Sequence, residues 1–302
     1  MVRQKGIISR RYRDLIAERA VLIPAILVSV ILIAMVIVFL DKASPIFITQ
    51  PITTLLFSSS WHPLSGQFGF FPFIAGTVWV TLLAMGITIP ISILSAVYLA
   101  EYAHRRVRGV AQPLIDLLAG IPSVVFGLFG ILLIVPLIKE QIAPLAGVNS
   151  SGYCVLAGGL VLAIMVFPIV ISISYEVIRA VPTEMREAAL ALGATRWETV
   201  KFVVLRKALT GIIAAIILGF SRAFGETMAV LMVVGNVPIV PQSVFDPAYP
   251  IPALIANNYG EMMSIPAYDS ALMFAALILF VIVVAFNILA RIVLVRVYRK
   301  GV

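Results

Sequence analysis

From Ala20 to Leu40 the chain carries no charged side chain, and five further runs are nearly as apolar, at about residues 73–99, 114–138, 153–175, 208–234 and 270–294. A helix of about 20 apolar residues is long enough to cross ~30 Å of hydrocarbon. The expected fold class is therefore all-α, a polytopic membrane protein with six transmembrane helices. Composition agrees: 12% of the 302 residues are charged, against about 25% in a soluble domain. The first run follows Arg3, Lys5, Arg10, Arg11, Arg13 and Arg19, as a secretory signal would. Its 21 residues exceed the ~7–15 of a signal core, so it reads as a retained first helix after a tail at 1–19, with the membrane domain covering 20–302.

The segments between runs carry little that suggests chemistry. Residues 41–72, broken by Pro45, Pro51, Pro63 and Pro72, read as a loop with short helical pieces at most. Prolines inside runs, such as Pro90 and Pro168, are tolerated where neighbouring helices satisfy the freed backbone. Gly120-Ile121-Pro122-Ser123 fits a packing kink or a broken helix that exposes backbone to a pathway. The single Cys154 forms no intrachain disulfide. His62 and His104 are far apart with no Cys or carboxylate cluster beside them, which argues against a metal site. The net charge of +8 is not gathered into a basic run interleaved with aromatics, so no nucleic-acid partner is expected.

The positive charge is sorted by side instead. Six spans place alternate loops on opposite faces, and lysine and arginine concentrate on the cytoplasmic one. Nineteen of the 22 fall in the N-terminal tail, the 2–3 loop, the 4–5 loop and the C-terminal end, and only Lys42 and Lys139 on the other face. Both termini are thus expected to be cytoplasmic, with the 4–5 loop. The remaining residue of the 22 is Arg222, inside the fifth run.

The 4–5 loop holds EAALALGATRWETVKFVVLR, residues 187–206. A solvated connection accounts for its polarity, but some thirty residues is long for a loop without structure. Pro182 and Thr183 offer a helix start, with Glu184 and Glu187 in the first turns, where the helix dipole favours acids. Ala188, Ala189 and Ala191 keep that helix slim, and Gly193 permits the bend that ends it. A second short helix from about Arg196 returns to the membrane. The pattern resembles the EAA-x3-G-x9-I-x-L-P loop of ABC importer permeases, carried here by Glu187, Ala188, Ala189, Gly193, Val203 and Leu205. Arg206 stands where those permeases have the closing proline. The resemblance implies that loop 182–206 docks on a separate ATPase and transmits its movement. No Gly-Lys dipeptide occurs, hence no Walker A loop in this chain.

In the fifth run, SRAFGETMAV places Arg222 near the middle and Glu226 four residues on, a spacing that brings both to one face of a helix. Buried charges of this kind either neutralise each other or mark a substrate path. A guanidinium fork, held by Glu226, suits an oxyanion. SRAFGETMAV with Gly235-Asn236, LLAGIPSVVFGLFG at 117–130, and Trp61-His62-Pro63 with Gly69, Pro72 and Gly76-Thr77 together resemble the phosphate-specific ABC importer permeases of the PstC type. The resemblance implies a type I importer permease fold in a prokaryotic inner membrane, with Arg222 and Glu226 in the phosphate path. It also implies a second permease of the PstA type, an ATPase dimer of the PstB type carrying ATP and Mg, and a periplasmic or extracellular phosphate-binding protein of the PstS type. No catalytic residue and no cofactor are expected in this chain. Proline-rich 236–267 suits either a docking platform for the binding protein or a stiffened surface loop. Residues alone leave open a permease for molybdate, sulfate or a phosphonate, a membrane sensor or scaffold, and a passive channel.

Overall fold

In the computed structural model the backbone is described for residues 2–260 and 265–300, and side chains for 17–260 and 265–296. The basic residues Arg3 to Arg13, Arg299 and Lys300, and Glu261 in the proline-rich loop, have side chains outside the described residues. The chain is helical almost throughout: α1 (Val2–Thr49), α2 (Ile52–Phe57), α3 (Phe71–Val97), α4 (Arg105–Ala119), α5 (Ser123–Phe129), α6 (Val135–Leu137), α7 (Ala143–Leu145) and α8 (Val155–Arg179). Then come α9 (Thr183–Ala191), α10 (Arg196–Glu198), α11 (Leu205–Gly225), α12 (Met228–Leu231), α13 (Ile251–Asn258) and α14 (Pro266–Lys300). A two-residue hairpin pairs β1 (Trp61–His62) with β2 (Gln67–Phe68). Six helical stretches among the described residues are long and apolar enough to cross a membrane. The protein is an all-α, multi-pass membrane protein.

α3 and α8 form the centre and run parallel. Thr77 to Thr88 of α3 faces the first half of α8: a Cβ on Gly158 would lie 3.4 Å from Val80, and Thr88 Oγ1 lies 3.5 Å from the Ala163 carbonyl. The absent side chains of Gly158 and Gly159 allow this approach, which matters in a membrane because association there depends on close packing. α11 runs the opposite way along α8. Gly211 abuts Val177, and a Cβ on Gly219 would meet Val170 at 2.8 Å and Val166 at 3.3 Å. Since Val166 and Val170 flank the middle of α8, Gly219 marks the middle of the bundle.

Several expectations are corrected. The first helix does not stop at Leu40 but continues to Thr49. Its last turns bury Ala43 and Ile46 against α14, and Phe47 meets Phe274 edge-to-face at 5.2 Å. That burial outweighs Pro45. The remainder of 41–72 is a built cap: Trp61 packs edge-on to Phe68, Phe70, Phe73 and Tyr268 at 4.6–6.1 Å. The third span runs from Ser123 to Leu145 instead of 114–138; Arg105–Ala119 is a separate helix before it, and the chain is broken between the two, not merely kinked, at Gly120–Pro122, where Pro122 is extended (φ −59°, ψ 141°). The fifth helix ends at Gly225, well short of 234.

The proline-rich segment is not a free surface loop. Its backbone folds back onto the bundle, where Val155 N–H donates to Asp246 O (2.9 Å), Leu156 N–H to Val244 O (2.8 Å) and Ile251 N–H to the Thr77 hydroxyl (2.9 Å). Pro241, Pro250 and Pro252 are buried. A Gly219→Val substitution forces branched carbons into Val170 and Met85, which the seam cannot absorb. It should destabilise the fold by about 1–3 kcal/mol, read as a lower melting temperature in detergent, whereas Gly86→Val, at a position open to space, should not.

Candidate functional site

The loop at 182–206 is two helices joined by a tight reversal. α9 ends in a Schellman closure: Gly193 N–H donates to Leu190 O (2.9 Å) and Ala194 N–H to Ala189 O (3.2 Å). Gly193 takes φ +88°, and no atom lies within 4 Å of where its Cβ would be, so the conformation alone demands glycine. Thr195 then starts α10 with a capping box. Its hydroxyl accepts from Glu198 N–H, and the Glu198 carboxylate accepts from Thr195 N–H at 2.7 Å. A wide turn at Thr199–Val204 leads into α11. Arg206 is exposed as the second residue of α11 and helix runs on through it. Because helix is continuous from Arg196 through Thr199–Val204 into α11, there is no helix start at 206 for a proline to mark.

The motif residues divide by exposure. Glu187 and Ala188 face outward, whereas Ala189 is buried against the Thr199–Val204 turn. Around them stands an apolar patch that the sequence motif passes over: Leu192 is 90% exposed, and Leu190, Trp197 and Phe202 about half exposed. Their hydropathy was legible in the sequence; their common exposure was not.

Arginines fasten the knob to the bundle. Arg186 forks onto the Glu101 carboxylate, with Nη2 2.7 Å from Oε1 and Nε 3.4 Å from Oε2, and also donates to Ile178 O (2.9 Å) and Val181 O. It is the one salt bridge among the described residues, with side chains 18% and 10% exposed. Arg196 donates to the Glu101 carbonyl and lies 4.9 Å from the Tyr102 ring centroid. Sequence reasoning did not single out Glu101, because no spacing rule links residues so far apart.

The second candidate lies deeper. Arg222 is one turn beyond Gly219, hence close to the middle of the bundle, and its side chain is exposed on the surface of this chain. The expected pairing with Glu226 is not made. An i,i+4 pair requires continuous helix, and here helix stops at Gly225, with Glu226 extended (φ −73°, ψ 127°). The Glu226 carboxylate turns instead to the Ala229 N–H at 3.1 Å, capping α12, beside Thr77, Thr81, Pro250 and Pro252. Arg222 is left with its donors free of any carboxylate among the described residues. Next to it, Ser221 Oγ lies 3.1 Å from Asn287 Oδ1 of α14, a polar contact not expected from sequence. His62 sits in the hairpin and His104 before α4, at opposite ends of α3, and Cys154 is buried and free.

Comparison with known proteins fits this architecture. Residues 88–299 match the family described as binding-protein-dependent transport system inner membrane component. The chain is 37% identical over 261 residues to the phosphate transport system permease protein PstC of Xylella fastidiosa, covering 82% of this chain and 80% of the relative. It is 34% identical over 297 residues to the probable ABC transporter permease protein YqgH of Bacillus subtilis, covering 96% and 94%. A solved bacterial alginate ABC transporter chain superposes with a TM-score of 0.65 at 16% identity, over 93% of this chain and 96% of that one, a likeness of fold alone.

Gly193→Val must adopt a left-handed conformation at a cost of about 1–2 kcal/mol, whereas asparagine tolerates it. Limited proteolysis should therefore nick the 190–196 turn faster in Gly193→Val, with Gly193→Asn cut at the rate of the unsubstituted protein.

Proposed function

We propose, for a chain that belongs to the binding-protein-dependent transport inner-membrane family, that it is the permease subunit of an ATP-driven phosphate importer. The observation that carries the substrate is the 37% identity to a phosphate transport permease over most of both chains, joined to a guanidinium near mid-bundle that no carboxylate among the described residues pairs. The basic end, with Arg105, Arg179 and the 182–206 loop, faces the cytoplasm by the distribution of lysine and arginine. The exposed knob of Glu187, Ala188, Leu190, Leu192 and Trp197 docks on a separate ATPase, which hydrolyses ATP with Mg. A second permease of the PstA type completes the pathway, and a PstS-type binding protein delivers phosphate on the opposite face. This chain itself forms and breaks no covalent bond.

Arg222 acts by charge and geometry. Its cost in an apolar environment is offset when an anion pairs with it, and its planar fork matches two phosphate oxygens. Glu226 has a different task from the one its spacing suggests. By capping α12 it holds the broken stretch after α11 in place, keeping a carboxylate turned away from the anion. The helix interruption at Gly225–Thr227 supplies polar backbone of the kind a path through hydrocarbon needs.

The test is uptake of labelled phosphate by the reconstituted four-component importer in proteoliposomes. Uptake should require ATP and the binding protein. Arg222→Ala should lower it by about 100-fold or more, the loss expected when a charged hydrogen-bonding partner of about 3 kcal/mol is removed. The assembled complex should still co-purify. Flux without ATP would identify a channel, and competition by sulfate or molybdate equal to that of phosphate would reassign the substrate.

A further inference from the structure

The turn that ends α3 gathers arginines from three separate elements. Residues Tyr98–Tyr102 close as a wide helical turn in which Ala103 N–H donates to Tyr98 O at 2.8 Å. Such a turn, like any helix end, leaves carbonyls without helical partners. Arg108 of α4 takes three of them: Nε to Leu99 O (3.1 Å), and Nη2 to Ala100 O (3.2 Å) and Ala103 O (3.3 Å). Arg196 of α10 takes the Glu101 carbonyl, and Arg186 of α9 takes the Glu101 carboxylate with two nitrogens. One turn therefore joins α3, α4, α9 and α10.

We propose that this turn is the joint through which movement of the 182–206 knob reaches the membrane helices, with Glu101 as its positioning residue. The covalent continuations of the knob lead only into α8 and α11. Glu101 adds a third connection, to α3, which packs along the length of α8 and carries Thr77 and Thr81 beside Glu226. A fork-to-carboxylate pair resists shear better than a single hydrogen bond, because two parallel bonds fix orientation as well as distance. Its partial burial also shields it from screening by salt. Arg186 in turn holds Ile178 O and Val181 O at the end of α8. A push on α9 thus displaces the ends of α3 and α8 together, as one body.

The inference rests on the permease reading above, and its test separates the two. The complete importer is reconstituted with Glu101→Gln, Arg186→Lys and the exchange Glu101→Arg with Arg186→Glu. Phosphate taken up per ATP hydrolysed, and stimulation of hydrolysis by the binding protein, are measured beside co-purification of the ATPase. Glu101→Gln should keep the ATPase bound while phosphate per ATP falls by about tenfold, a coupling loss in the usual range for linked sites. Arg186→Lys, which keeps charge but loses the fork, should fall between, and the exchange should recover most of the loss. An unchanged ratio in assembled Glu101→Gln complexes overturns the proposal, as does an assembled exchange variant without recovery. If none of the variants retains the ATPase, the pair is a folding element and the proposal also falls. Absence of phosphate uptake by the unsubstituted complex would overturn the permease reading instead.

Discussion

Everything in this protein answers to one requirement: backbone N–H and C=O groups must be paired where no water can reach them. Six helices meet it along most of their length. The informative place is where helix stops inside the bundle, at Gly225–Thr227. There the chain recruits side chains, as Glu226 does for Ala229 N–H, or returns a loop, as 244–251 does for α8 and Thr77. The proline-rich segment after α12 makes sense in this light. Its rigid, donor-poor backbone packs into the end of the bundle with few groups left to satisfy.

The same requirement at the basic end is met by charge. Helix ends there expose carbonyls, and arginine, a donor-rich and permanently charged side chain, is suited to collect several at once. Arg108 and Arg186 do so, and in doing so tie elements far apart in sequence to one turn. An outward-facing apolar patch around Leu192 and Trp197 then completes a knob that is firmly held on one side and unsatisfied on the other. Rigid anchoring and a free apolar face are the combination a mechanical contact needs.

Much of this was legible before any coordinates. Apolar run length announced the six spans. Gly193 announced the reversal in the knob, since left-handed backbone is local chemistry. Local chemistry also explains the failures. Arg222 and Glu226 have the right spacing to pair on a helix, but the helix stops at Gly225 and Glu226 is extended, which separates them. Pro45 looked like an ending and is not one, because Ala43 and Ile46 are buried by a helix more than 200 residues away in sequence.

The sequence by itself determined the solvent, the number of crossings, the sorting of charge and the conformation of its tightest turn. Each of these depends on composition within a window of some twenty residues or on one residue's backbone freedom. The tertiary structure alone decided which helices stop, which carboxylate meets which arginine, and which apolar side chains remain uncovered. Those outcomes depend on neighbours brought together from distant parts of the chain, as Glu101 and Arg186 are, and no local pattern encodes such a meeting.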